Sequence, residues 1–163
     1  MTTTSSGAGG STADTIELAA VRADQLEPLL DMMLAFNELE DIPWSREQAA
    51  PAVLRLLASP ELGVIAHILE AGALRGYLVL TWGFDLEWNG RDAFLTELYL
   101  LPAVRGRGLG RRALPLIEEL ARRCGARALH LMVRPENRAA LQLYRGAGYG
   151  APPRTFLTKE LSR

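Results

Sequence analysis

The feature that most constrains this chain is a double change of hydrophobic period between Asp92 and Val133. Residues 92–101, "DAFLTELYLL", read as a strand. From Leu109 the run "LGRRALPLIEELARRCG" has helical spacing and closes on Gly125. Residues 128–133, "ALHLMV", are strand-like again. A strand–helix–strand crossover within one sheet is right-handed and makes its two strands parallel neighbours. An all-helical or purely antiparallel fold is thereby excluded.

The rest of the chain arranges itself around that unit. Residues 16–21 read as a first strand, and residues 23–40 carry Leu26, Leu29, Leu30, Met33 and Leu34 at helical spacing. A second helix starts at "SREQ", with Ser45 and Gln48 spaced as a capping box, and runs through Leu57. Two strands, residues 63–72 and 73–84, meet at a turn on Ala71 and Gly72, and "WNG" at residues 88–90 signals a hairpin. After the crossover, residues 135–148 read as a helix and residues 154–161, "RTFLTKEL", as a closing strand. The order is strand, two helices, three strands, helix, strand, helix, strand, an α+β arrangement. The expected organisation is a flexible Ser/Thr/Gly-rich tail over residues 1–14 and one domain over residues 15–163.

Composition sets outer limits. The chain has 163 residues, enough to bury a core, and a single cysteine, Cys124, which excludes an internal disulfide framework. No apolar run reaches the roughly 18 residues of a membrane helix, and the N-terminus lacks a secretory pattern. A cytoplasmic location with no membrane partner is the expectation. The net charge of −1 hides a split: residues 1–100 hold five arginines, no lysine and fifteen Asp/Glu, against thirteen Lys/Arg and four Asp/Glu in residues 101–163. Such polarity suggests two partners of opposite sign. A pI near 6.1 and few aromatics beside the basic run argue against nucleic acid.

The turn that joins strand to helix in the crossover reads Arg105, Gly106, Arg107, Gly108, Leu109, Gly110, Arg111. The first turn of a helix has unpaired N–H groups and the positive end of the dipole, and glycines let backbone approach a ligand closely. The turn therefore favours phosphate. It is not a P-loop, because Gly110 is followed by Arg111 and Arg112 rather than Lys-Ser/Thr. It is not a dinucleotide fingerprint, because the third glycine would fall at Arg111, and no acidic residue follows at the expected distance.

These residues resemble the GNAT N-acetyltransferase superfamily. Its Arg/Gln-x-x-Gly-x-Gly/Ala motif is matched by Arg105, Gly108 and Gly110. Its second motif, Asn-x-x-Ala-x-x-x-Tyr-x-x-x-Gly-Phe/Tyr, is matched by Asn137, Ala139 or Ala140, Tyr144, Gly148 and Tyr149. The resemblance is close from about Ala93 to Tyr149, and earlier residues match in element order alone. It implies a mixed, mostly antiparallel sheet of six to seven strands, with helices on both faces and a splayed parallel strand pair. It also implies acetyl-CoA as co-substrate and no metal. The diphosphate would lie on residues 105–111. The pantetheine arm would pair with Leu98, Tyr99 and Leu100, where a bulge would separate this strand from the parallel strand of residues 128–133 and leave a cleft for the thioester. A backbone N–H near Leu100 would polarise the thioester carbonyl, and Asn137 would touch the arm. Relatives of this kind commonly form homodimers, so a second copy stays open as a partner.

N-acetyl transfer needs a neutral amine and a protonated leaving thiol. Glu97, on the strand that would hold the thioester, is the candidate base. Tyr144 stands where the resemblance puts the general acid. Many relatives carry a glutamate on the strand after the glycine-turn helix; this chain has Met132 there, which cannot act as a base. His67 and His130 lie in apolar strands and suit core or edge positions. Cys124 has no histidine near it in sequence, so a covalent acyl-enzyme is set aside. Pro115 falls inside the glycine-turn helix, where it deletes a backbone hydrogen bond. The acceptor half holds Asp31, Glu38, Glu40, Asp41, Asp85 and Glu87 with Trp44, Trp82, Phe84 and Trp88, which suits a cationic amine. The acceptor expected is a small or polyamine-like primary amine, or a protein amine. The alternative is a CoA-binding regulatory module of the same fold without turnover.

Overall fold

The computed structural model describes residues 2–4 and 15–161. The chain divides into two compact units, residues 1–132 and residues 133–163. In the first, strand β1 (Thr2–Thr4) pairs with β2 (Ile16–Ala20), so part of the segment read as a tail forms an edge strand. Met1 and residues 5–14 of that segment lie outside the described residues.

Helix α1 (Leu26–Glu40) buries Leu29, Leu30, Met32 and Met33, which recur on one face at helical spacing. Helix α2 (Arg46–Ala58) starts after Ser45, whose side chain makes no cap bond, so the expected capping box does not form. Its N-terminus is held instead by Arg46, which pairs with Glu27 at 2.6 Å and with Asp31 of α1. Strands β3 (Gly63–Glu70), β4 (Ala73–Asp85) and β5 (Gly90–Leu100) form an antiparallel meander. Positive φ at Ala71 and Gly72 closes a tight first turn between Glu70 and Ala73, and the register shifts once, between Ile68 and Leu69.

After β5, a short 3-10 turn (Pro102–Val104) leads to α3 (Leu109–Arg123) and then β6 (Leu129–Leu131). The six strands lie in the order β1-β2-β3-β4-β5-β6, antiparallel except for the parallel β5–β6 pair. Pro115 does not break α3. It sits on the exposed side, where water can satisfy the carbonyl left without a donor.

One core joins α1 and α2 to a single sheet face through Leu29, Leu30, Met33, Val53, Ile65, Tyr77, Val79 and Tyr99. Leu109, Ala113, Leu114 and Ile117 of α3 are buried outside that cluster, and α3 packs against β2. In the second unit, α4 (Arg138–Gly146) is capped by Asn137, whose Oδ1 accepts from Ala140 N at 3.1 Å. Residues 154–161 form no strand, contrary to expectation. Phe156 would face opposite Leu157 and Leu161 in a strand, so no single apolar face exists to bury, and all three are exposed.

Candidate active site

Strand β5 carries the site because its pairing changes midway. Val79 of β4 faces Glu97, but the next residue, Leu80, faces Leu95. Thr96 is therefore an extra residue, a β-bulge. Side chains alternate faces along a strand, so without the bulge Glu97 would share the face of Leu95. With it, Glu97 moves to the face of Val79, Tyr77 and Tyr99, beneath α1 and α2.

The bulge also ends the parallel pair. β5 meets β6 at Ala93, Phe94 and Leu95 and no further. Beyond Leu95 no strand among the described residues pairs with the outer edge of β5, which is the splayed pair expected from the sequence. Leu101 N donates to Arg75 O of β4 at 2.8 Å. Successive residues direct their amides to opposite sides, so Leu98 and Leu100 turn theirs to the open edge, and Tyr99 turns toward β4. Gly76 lets β4 come this close: a Cβ there would lie 2.0 Å from Tyr99 O.

The glycine turn follows directly. Gly106 (φ 72°) and Gly108 (φ 76°) both take left-handed backbone, which glycine adopts without penalty. Arg112 is the first residue of α3 to donate within the helix, to Gly108 O at 3.1 Å. The N–H groups of Leu109, Gly110 and Arg111 precede that bond and have no helical acceptor. Arg107 and Arg111 are exposed beside them. Arg105 bonds Leu100 O through Nε at 2.8 Å and lies over the Tyr99 ring at 5.0 Å, which ties the turn to the open edge of β5. Arg112 is drawn to Glu70 at 2.5 Å, and Arg75 Nε stands 3.3 Å from the same carboxylate. The Arg112 hydrogen bond, against the opposing effect of burial, holds Glu70 below the usual carboxylate range.

Glu97 is half-buried, and burial pushes its pKa up; a 2.5 Å hydrogen bond donated by Tyr77 Oη to Oε2 pulls the other way. Burial first, then the charge of Glu97, drives the Tyr77 hydroxyl well above the ordinary phenol range, so it stays a donor. A carboxylate with a raised pKa on the sheet face beside an open strand edge is a stronger proton acceptor than an ordinary carboxylate.

Other sequence candidates are engaged differently. Asp31 pairs with Arg46, Asp85 Oδ1 accepts from Glu87 N at 2.8 Å, and Trp82 Nε1 donates to Pro60 O at 2.9 Å. Trp44 packs against the α1–α2 core, and Phe84 is exposed. His67 is buried, and burial lowers its pKa. In the second unit, the Tyr144 ring meets Tyr149 edge-on at 5.6 Å, and the Asn137 carbonyl is used as a helix cap. No group of three or more His, Cys, Asp or Glu that could hold a metal occurs among the described residues, and no described helix is long and apolar enough to cross a membrane.

Sequence reasoning missed how three residues of this sheet face are engaged. Tyr77, inside the strand read over residues 73–84, is the hydrogen-bond partner of Glu97. Asp92 and His130, 38 positions apart, meet only through the parallel register, with His130 Nε2 3.5 Å from Asp92 Oδ2.

Comparison with known proteins gives the same outline. A model described as "Acetyltransferase (GNAT) family" matches residues 29–149. The thialysine N-epsilon-acetyltransferase of Mus musculus is 31% identical over 90 residues, 52% of this chain and 53% of that protein. The chain thus spans about half the length of the curated relatives it matches. An integron cassette protein from the mobile metagenome of Cole Harbour Salt Marsh superposes with a TM-score of 0.77 at 28% identity, covering 90% of this chain and 91% of that one. The protein AAC(6')-Iy, solved with the bisubstrate analogue CoA-S-monomethyl-acetylneamine, has a TM-score of 0.73 at 15% identity over 90% of this chain and 99% of that one.

Proposed function

We propose that this chain, which belongs to the acetyltransferase (GNAT) family, transfers an acetyl group from acetyl-CoA to a primary amine by direct attack in a ternary complex. One observation carries the reading. Bare amides at the mouth of α3 and the open amides of Leu98 and Leu100 are tied together by Arg105. The first set suits a diphosphate and the second an extended amide-bearing arm.

On this reading the cofactor lies along Leu98, Tyr99, Leu100, Arg105, Gly106, Arg107, Gly108, Leu109, Gly110 and Arg111. The Leu100 N–H stabilises the oxyanion as the amine nitrogen bonds to the thioester carbon. Glu97 takes a proton from the amine, and its raised pKa suits that task. The carbon–sulfur bond then breaks, and the thiolate takes a proton from Tyr144. Asn137 contacts the pantetheine arm by family resemblance, in addition to capping α4. The acceptor is a cationic amine, small or polyamine-like, which suits the acidic N-terminal half of the sequence. Residues 15–163 act as one working domain in the cytoplasm, as a monomer or a homodimer.

Met132 stands where relatives carry a base, and that favours the second reading, a CoA-binding module without turnover. Thiol detection over a panel of amines separates the two. Thiol release above the rate of acetyl-CoA hydrolysis with at least one amine supports the enzyme. CoA binding with no amine-dependent release supports the module.

A further inference from the structure

The sheet face that carries Glu97 continues toward the other end of β5, where a second acidic group sits. Asp92 pairs with Gly83 of β4, and Phe94 pairs with Thr81 and with His130 of β6. Thr81 and Gly83 share the face of Val79, the residue opposite Glu97. Asp92, Phe94, His130 and Glu97 therefore line one face.

The Asp92 carboxylate is built in. Its side chain is only 18% exposed, and Oδ1 is fully buried without a hydrogen-bond partner. Gly83 makes the cradle: a Cβ there would lie 2.4 Å from Oδ1. The one ion-pair partner of Asp92 among the described residues is His130, at 3.5 Å from Oδ2. Trp88 and Phe94 flank the imidazole at ring distances of 6.0 and 6.3 Å, and Trp88 is 41% exposed at the rim. A sunken carboxylate with incomplete pairing, walled by aromatic rings, is the chemistry that recognises an ammonium. Arg91, its neighbour, alternates to the opposite face of the sheet, where its guanidinium bonds Cys124 O at 3.1 Å and lies over Trp82 rather than pairing with Asp92.

We propose that Asp92, with His130, Trp88 and Phe94, holds a second cationic group of the acceptor, so that the preferred substrate is a long diamine or polyamine rather than a monoamine. The proposal rests on the acetyltransferase reading above. It also sets a length. The β4 partners of Asp92 and Glu97 are Gly83 and Val79, four residues apart, so the two carboxylates stand roughly 13 Å apart along the strand. An acceptor that reaches both places one ammonium at Asp92 and the reacting nitrogen near Glu97.

The test is a kinetic series with the full chain, acetyl-CoA, a monoamine and α,ω-diamines of increasing length, read by thiol release. The wild type should show KM falling as the diamine approaches the length of the gap, with kcat changing little. Asp92→Asn should lower the ratio of kcat/KM, long diamine over monoamine, on the order of tenfold to a hundredfold through KM, as expected for loss of a charge-assisted contact. Gly83→Ala, whose methyl group displaces the carboxylate, should shift the ratio the same way. CoA affinity of each variant, measured by calorimetry, reports whether it has folded. A length dependence identical in the wild type and both variants overturns the subsite while leaving the acetyltransferase reading intact. Failure of the wild type to acetylate any amine overturns both.

Discussion

Replacing Gly108 by alanine probes how the phosphate turn is made. Gly108 has φ 76° and ψ 6° and serves as the N-cap of α3, and a Cβ built on it meets no atom within 4 Å. The cost of Gly108→Ala is therefore backbone strain alone, about 1–2 kcal/mol for a left-handed alanine. A domain of this size loses about 2–4 °C of Tm per kcal/mol, so the free variant should melt about 2–8 °C lower. The variant can relieve the strain by rotating the turn, which moves the Leu109, Gly110 and Arg111 amides off the diphosphate. Ligand at 100 times its Kd stabilises by about 2.7 kcal/mol, a Tm rise of about 5–11 °C for the wild type. A tenfold weaker Kd removes about 1.4 kcal/mol of that, so the same CoA concentration should raise the Tm of the variant by only about half as much. Thermal melts with and without CoA measure both effects. Gly146→Ala in α4, with nothing within 4 Å and ordinary φ, is the control: it should raise Tm slightly and leave the CoA increment alone. A Gly108→Ala chain that melts lower yet keeps the full CoA increment would refute the role given to the turn.

Three further outcomes follow from the same geometry. Tyr77→Phe removes the hydrogen bond that holds the Glu97 pKa down, so the acidic limb of kcat/KM should move to higher pH; an unmoved limb argues that Glu97 is not the base. Tyr144→Phe should cut kcat by about a hundredfold or more with the CoA Kd unchanged, and loss of CoA affinity in proportion would make Tyr144 a packing residue. Glu70 titrates below its unfolded value in the fold, so its contribution is present above the ordinary carboxylate pKa and lost as pH falls through the lowered one. Glu70→Gln should therefore flatten the acid-side loss of stability seen in urea melts, and an unchanged slope would remove Arg112 as its partner.

The crossover was legible because each of its parts has a local signature. The period shift at Leu109, the left-handed glycines 106 and 108, and the buried row Leu109, Ala113, Leu114 and Ile117 are all written within one turn or two of the residues concerned. The bulge on this strand was implied by the family resemblance, near Leu98 to Leu100, but nothing in the local residue pattern marks it or places it at Thr96. Inserting Thr96 alters neither composition nor propensity, yet it decides which face Glu97 occupies. Asp92 and His130 were invisible for a different reason, since only the parallel register of a three-residue strand joins them. Residues 154–161 have the apolar content of a strand but not its alternation, and Phe156, Leu157 and Leu161 stay exposed. Pro115 signalled a lost backbone hydrogen bond inside α3 but not whether the helix would tolerate it; a proline on the solvent side of an amphipathic helix leaves its orphaned carbonyl to water, and α3 runs on.

The most direct measurement is calorimetric titration of the purified chain with CoA, and separately with pantetheine, which shares the arm but lacks the diphosphate. The account predicts saturable one-to-one binding of CoA, with pantetheine weaker by a hundredfold or more because the α3 amides then have no anion to hold. Equal affinity for the two, or no heat with CoA at all, would contradict it.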